Sequence, residues 1–195
     1  MCYAGVCMDA LCQQLADDLE VGFGELVARE QDLVHGVALR VVRDRDLAQD
    51  VAQEAFVRAY RALARYPAER ILTLRPRPWL ARITLNLARN ELRRRRQADS
   101  LDRAAERLAA SDDGPVRLVE RDEERRAWQR LLDGLPERYR LAVALRHVDC
   151  LTYPEMADAL GRPLGSVKSD VHRGVALLRA AWDAEQRRLE QRQAS

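Results

Sequence analysis

With 195 residues, 47% of them hydrophobic and 33% charged, the chain can bury one large core or two small ones, and two small domains are expected. Aromatic residues make up only 5% while Ala, Leu, Val and Arg dominate, which disfavours strand-built folds and predicts an all-α protein. No apolar run approaches the roughly 20 residues of a membrane span, and the N-terminus turns acidic without the basic segment of a secretory signal, so a cytoplasmic location with no direct membrane insertion is expected.

The net charge of +2 hides a polarity along the chain: residues 9–54 sum to −7 and residues 55–96 to +10. A basic zone of that size calls for a polyanion. Residues 1–19 read as an N-terminal extension. Within it Cys2, Cys7 and Cys12 recur every five residues, a spacing that fits neither a CxxC metal knuckle nor a helix face. With the distant Cys150 they read as ordinary reduced thiols, and a thiol or metal sensor is the alternative from another functional class. No cofactor, no metal site and no enzymatic activity are expected.

From 20 to 43, Val21, Phe23, Leu26, Val27, Leu33, Val34, Val37, Ala38 and Val41 fall at helical spacing, as one long helix or an amphipathic pair. From Asp46 onward, Leu47, Val51, Ala55 and Ala59 recur every four residues, and the opposite face carries Gln49, Asp50, Gln53, Glu54 and Arg61. Tyr66-Pro67 ends that helix. The stretch from Arg70 to Trp79 reads as a loop, because Pro76 and Pro78 disfavour helix in the residues before them. Trp79 then opens a helix to about Arg96, with Leu80, Ile83, Leu87 and Leu92 near one side, which closes a first domain over 20–96. Residues 97–127 lose apolar periodicity, contain Gly114-Pro115 and read as a flexible acidic linker.

The second domain spans 128–182, before a tail over 183–195. Leu131 and Leu132 precede a break at Gly134, and Pro136 starts a helix through about Val148. Thr152 with Glu155 forms a capping box, and Gly161 ends the short helix that follows. After Pro163-Leu164-Gly165, Ser166 is expected to cap a second helix with Val167, Val171, Val175 and Leu178 inward. This is helix-turn-helix grammar over 152–174. A recognition helix needs small or polar outward residues near its N-terminus, and Ser166, Lys168, Ser169, His172 and Arg173 meet that demand; the plainer reading is a solvated face. Lys168 is the only lysine, so arginine abundance by itself carries little weight.

The helix after Trp79 also admits two readings. Arg93 to Arg96 favour their own helix dipole. Alternatively, Arg75, Arg77, Arg82, Arg89 and Arg93 with the amides of Asn86 and Asn90 suit a separated DNA strand. Trp79 either stacks on a base or plugs the core.

These segments, in this order, resemble the extracytoplasmic-function sigma factors of the sigma-70 family. DLAQDVAQEAFVRAYRAL is similar to the family's core-polymerase-binding helix, RPWLARITLNLARNELRRR to the helix that melts and reads the −10 promoter element, and LPERYRLAVALRHVDCLTYPEMADALGRPLGSVKSDVHRG to the domain that reads the −35 element. The resemblance implies a non-catalytic subunit that binds RNA polymerase core through Asp50, Gln53 and Glu54 against the β′ clamp helices, with further contact to the β subunit, and that opens promoter DNA. It implies −10 contacts from Arg75, Arg77, Trp79, Arg82, Asn86, Arg89, Asn90 and Arg93, a flipped base held between Tyr66 and Pro78, and −35 contacts from Ser166, Lys168, Ser169, His172 and Arg173. It also implies an anti-sigma factor as partner. Two positions depart from the family: Asp170, where relatives often carry Arg, is expected beside the major groove, selecting a cytosine amino group or weakening the contact. Gly174, often Ala in relatives, should cost about 0.5–1 kcal/mol of helix stability. A stand-alone helix-turn-helix regulator is the alternative function.

Overall fold

The computed structural model describes residues 6–102, 128 and 130–193, and among these there are helices and no strands. The helices are α1 (Val6–Asp17), α2 (Leu19–Val42), α3 (Arg45–Leu63), α4 (Ala68–Leu72), α5 (Pro76–Asp102), α6 (Glu137–His147), α7 (Tyr153–Leu160) and α8 (Leu164–Gln193). Residues 20–43 thus form one helix. Asp18 caps it, its carboxylate accepting from the backbone N–H groups of Glu20 and Val21, and Arg43 closes it in the left-handed conformation at φ 59°. Asp44 immediately caps α3 through the Leu47 N–H, so α2 and α3 form a tight antiparallel pair. The N–H of Leu47, and then Arg95, hold the Asp44 carboxyl below its ordinary range.

Helices α1 to α5 pack around Leu26, Val34, Val37, Leu63, Leu80 and Leu85, all essentially inaccessible to water. The segment expected as an extension contributes to this core: Leu11, Cys12 and Leu15 of α1 are buried, and Cys12 Sγ lies 3.5 Å from the Leu74 carbonyl. The helix approach there is close, since a Cβ on Gly22 would sit 2.7 Å from the Leu15 backbone.

Three expected boundaries shift. The Arg70–Trp79 segment opens within α4, which runs to Leu72, and α5 begins at Pro76 rather than Trp79. Both prolines fall in the first turn, where a backbone N–H has no helical partner to lose; Trp79 N–H makes the first-turn bond to the Arg75 carbonyl. Helix α5 also continues past Arg96 to Asp102, because the arginine run lacks any breaker, and the rest of the expected linker, 103–127, lies outside the described residues. The tail expected over 183–195 is the continuation of α8 as far as Gln193.

In the second unit α7 has its capping box in place, with Glu155 accepting from the Thr152 N–H at 2.8 Å, and Gly161 closes it at φ 62°. Ser166 is not a cap. Helix α8 starts at Leu164, with Val167 N–H bonded to the Pro163 carbonyl, so Ser166 lies inside its first turn. Gly174 has a packing reason: a Cβ there would lie 2.5 Å from Val143 Cγ2 and 3.2 Å from the Tyr139 carbonyl, where α8 crosses α6. Gly174→Ala is therefore expected to destabilise by about 1–3 kcal/mol through overpacking, despite alanine's better helix propensity. Urea unfolding checks this, and adding Val143→Ala should recover most of the loss.

The two units touch. Leu141, Leu145, Leu151 and Met156 belong to the same continuous core as Leu26 and Leu80, with α7 seated on α5 and α6 on α2.

Candidate nucleic-acid interfaces

From Arg75, immediately before α5, residues 75, 79, 82, 86, 89 and 93 recur at alternating steps of four and three, which places Arg75, Trp79, Arg82, Asn86, Arg89 and Arg93 on one stripe. Arg75, Arg82, Asn86, Arg89, Asn90 and Arg93 are exposed. Arg93 donates to Asn90 Oδ1 at 3.1 Å, which orients the amide. At the start of the stripe lies a cleft of about 350 Å³ lined by Arg70, Thr73, Pro78, Trp79 and Arg82, with Asp158 of α7 at its edge. Trp79 is half-buried against the core, and its remaining surface lines that cleft. Its ring is tilted against Tyr66 at 6.2 Å, and the Arg70 guanidinium stands 3.7 Å above the Tyr66 ring. Exposed cations next to half-buried aromatic rings are the chemistry of single-strand binding.

The structure also sends several of these cations elsewhere. Arg77 is turned inward: its Nε donates to Glu30 at 3.1 Å and its Nη2 to the Asp149 carbonyl at 2.8 Å. Arg75 pairs with Asp158 at 3.1 Å and with Glu155 at 3.9 Å, and Arg89 with Glu137 at 3.2 Å. Arg40 holds the buried Asp149 carboxylate at 2.7 Å. Burial pushes the Asp149 and Glu30 carboxyls above their ordinary range, with Arg40 and Arg77 respectively offsetting only part of it. The acids that meet the basic stripe were not singled out in the sequence, because they are scattered over α6, α7 and the turn between them and form no run.

Asp50 and Gln53 on α3 are exposed, and Glu54 beside them is half-exposed and paired with Arg58 at 2.7 Å. An apolar residue adjoins this face: Val57, one turn after Gln53, is 41% exposed. An acidic face with an apolar neighbour suits a protein surface rather than DNA.

On α8, Lys168, Ser169, His172 and Arg173 are exposed and Ser166 is half-buried. Ser169 Oγ donates back to the Gly165 carbonyl. Lys168 Nζ lies 5.8 Å and Arg146 5.1 Å from the Tyr153 ring. Asp170 does not flank the groove. It is fully buried, accepting from Arg138 Nε at 2.7 Å and from Arg162, so it ties α6, the turn and α8 together. Position 170 lies three residues after Val167 and one before Val171, on the inward stripe, which is why an acid there needs two arginines rather than a base. Burial alone would raise its carboxyl, but the hydrogen bonds from Arg138 and Arg162 outweigh it and hold the group below its ordinary range.

Among the described residues no His/Cys/Asp/Glu group is arranged to hold a metal, and no helix is long and apolar enough to cross a membrane. Family models match along the chain, sigma-70 region 2 over residues 26–98 and sigma-70 region 4 over residues 125–178. The RNA polymerase sigma-H factor of Pseudomonas aeruginosa is 37% identical over 175 residues, covering 83% of this chain and 88% of that protein. The ECF RNA polymerase sigma-E factor of Escherichia coli is 34% identical over 160 residues, covering 77% of this chain and 81% of that protein. Among solved structures, CnrH in complex with the cytosolic domain of CnrY aligns with a TM-score of 0.64 at 28% identity, covering 91% of this chain and 97% of that one.

Proposed function

The chain belongs to the extracytoplasmic-function sigma factors of the sigma-70 family, which direct promoter-specific transcription initiation, and from that premise we propose how its faces divide the task. The acidic face of α3, Asp50, Gln53 and Glu54, docks on the clamp helices of the polymerase β′ subunit, while other surfaces meet the β subunit. The α5 stripe takes the separated strand of the −10 element, with Arg75, Arg82, Arg89 and Arg93 at phosphates and Asn86 and Asn90 at bases, while Arg77, held inward by Glu30 and the Asp149 carbonyl, positions the start of the helix. The cleft at Trp79 takes an extruded base, and its stacking must return the few kcal/mol that unstacking costs. Ser166, Lys168, Ser169, His172 and Arg173 read the −35 element from the major groove. The protein works as a non-catalytic subunit in the cytoplasm. An anti-sigma factor is its regulatory partner, a reading supported by the similarity to CnrH in its complex with the CnrY cytosolic domain.

The observation that carries this division is the Arg/Asn stripe of α5 running out of an aromatic cleft in a chain that also has a helix-turn-helix. A stand-alone regulator would have no use for the region 2 match over 26–98. Replacing Asn86 and Arg93 together by Ala should lower open-complex formation by the reconstituted holoenzyme about tenfold, the effect of roughly 1.4 kcal/mol of lost strand contact, at unchanged core affinity. Permanganate footprinting of promoter thymines reads this directly, and full opening by the double variant would contradict the −10 assignment.

A further inference from the structure

The buried Asp170 holds more positive charge than its own neutralisation needs. Its carboxylate is closed to water, and one oxygen accepts from Arg138 through Nε at 2.7 Å and Nη2 at 2.6 Å while the other accepts from Arg162. One arginine would balance the acid, so the second leaves a cation in excess. The acids closest in sequence to these arginines do not absorb it, because Glu137 is paired with Arg89 and Asp158 with Arg75.

A guanidinium carries five N–H donors in a rigid fork. Arg138 commits Nε and Nη2 to Asp170, and Arg162 commits Nη1. Their other donors reach the surface, since the Arg138 side chain is 49% and the Arg162 side chain 31% exposed. Asp170 is thus a fixed anchor beneath two forks that face solvent. A long cation free in water loses rotamer freedom on meeting an anion, and one already held from below loses less. The Tyr139 ring, 5.5 Å from the Arg138 guanidinium, confines that side chain further.

The cluster also stands at the end of α8 that matters. Arg162 lies in the turn between α7 and α8, two residues before Leu164, and its N–H bonds back to the Ala157 carbonyl, so α7 fixes its backbone while Asp170 fixes its side chain. The exposed Lys168 and Ser169 follow within the first two turns of α8. When a recognition helix enters the major groove by its N-terminal residues, the turn leading into it stands beside a phosphate ridge. Paired phosphate oxygens are the acceptor that a guanidinium fork matches.

We infer that Arg162, with Arg138 beside it, takes a backbone phosphate flanking the −35 element, and that Asp170 is the positioning residue that aims both. This rests on the −35 reading above and adds to it a sequence-independent contact that sets where α8 sits in the groove.

The test follows promoter affinity of holoenzyme, reconstituted from core and the full chain, over a salt series on a duplex carrying the chain's own upstream region. Arg162→Gln should make the slope of log K against log salt shallower by about 0.9, the share of one phosphate, and Arg162→Lys should restore it. Methylphosphonates placed singly along the −35 backbone should reveal a position that weakens wild-type binding about fivefold and leaves Arg162→Gln unaffected. A wild-type slope in Arg162→Gln, or equal sensitivity of both proteins at every position, would overturn the proposal. Arg138→Gln, the more exposed of the pair, gives the same reading should urea unfolding followed at the Trp128 and Trp182 stack show that Arg162→Gln does not fold. Asp170→Asn removes a negative charge near DNA, which by itself would tighten binding. It should instead weaken binding about threefold, because both forks lose their anchor, and equal or tighter binding would remove the positioning role. If Arg162→Gln behaves as wild type while Lys168→Ala with Arg173→Ala weakens promoter binding, this inference alone fails; if none of them changes it, the −35 reading itself has failed.

Discussion

Asp170→Arg is expected to remove the cooperative unfolding transition of the second domain and with it all −35 binding. The new guanidinium would enter a site closed to water and already holding Arg138 and Arg162. An uncompensated buried charge costs about 3–5 kcal/mol, a large part of what a domain of this size has. Asp170→Asn keeps the shape and leaves two arginines that can reach solvent, so its cost should be nearer 1–2 kcal/mol. Trp128 and Trp182 stack at 4.8 Å on this domain and report its unfolding by fluorescence in urea. A wild-type midpoint for Asp170→Arg would mean that the carboxylate is not a pin. The pH dependence carries a sign. Because the folded carboxyl titrates below the unfolded one, its contribution is fully present above about pH 4 and is lost only as pH falls through the depressed folded value.

Asp50→Arg should weaken core binding about 10- to 100-fold, or roughly 1.4–3 kcal/mol, by opposing a basic partner at the centre of the α3 face. Its exposure leaves the domain folded. Glu54→Arg should do less through the partner, since Glu54 already spends part of its charge on Arg58, and more through the helix, where two arginines would stand four residues apart. Native gel shift of labelled core checks both, with circular dichroism confirming the fold. Wild-type affinity in Asp50→Arg would remove the assigned interface.

Much of the fold was legible because period and punctuation agreed. The four-residue recurrence of Leu47, Val51, Ala55 and Ala59 is the buried face of α3, and the Thr152, Glu155 and Gly161 signals bound α7 as expected. The misread places have physical reasons. Prolines mark a loop only when they fall beyond the first turn, and Pro76 and Pro78 fall within it. An acid near a recognition helix looks like a groove contact until its inward register is seen. The α5 stripe was recognisable from the composition and spacing of Arg and Asn. Its partners Asp158 and Glu137 were not, since nothing local in a sequence says which distant acid will meet a basic face. Leu11 and Leu15 were too few to declare that α1 completes the first core.

Whether the chain is a polymerase subunit is decided by run-off transcription with purified RNA polymerase core, with and without the chain, on a template carrying its own upstream region. The chain should produce a discrete transcript from one start site, none should form without it, and the Asp50→Arg variant should need 10- to 100-fold more protein for the same yield. Specific duplex binding by the chain alone, with no core-dependent transcript, would contradict it and return the protein to the class of stand-alone helix-turn-helix regulators.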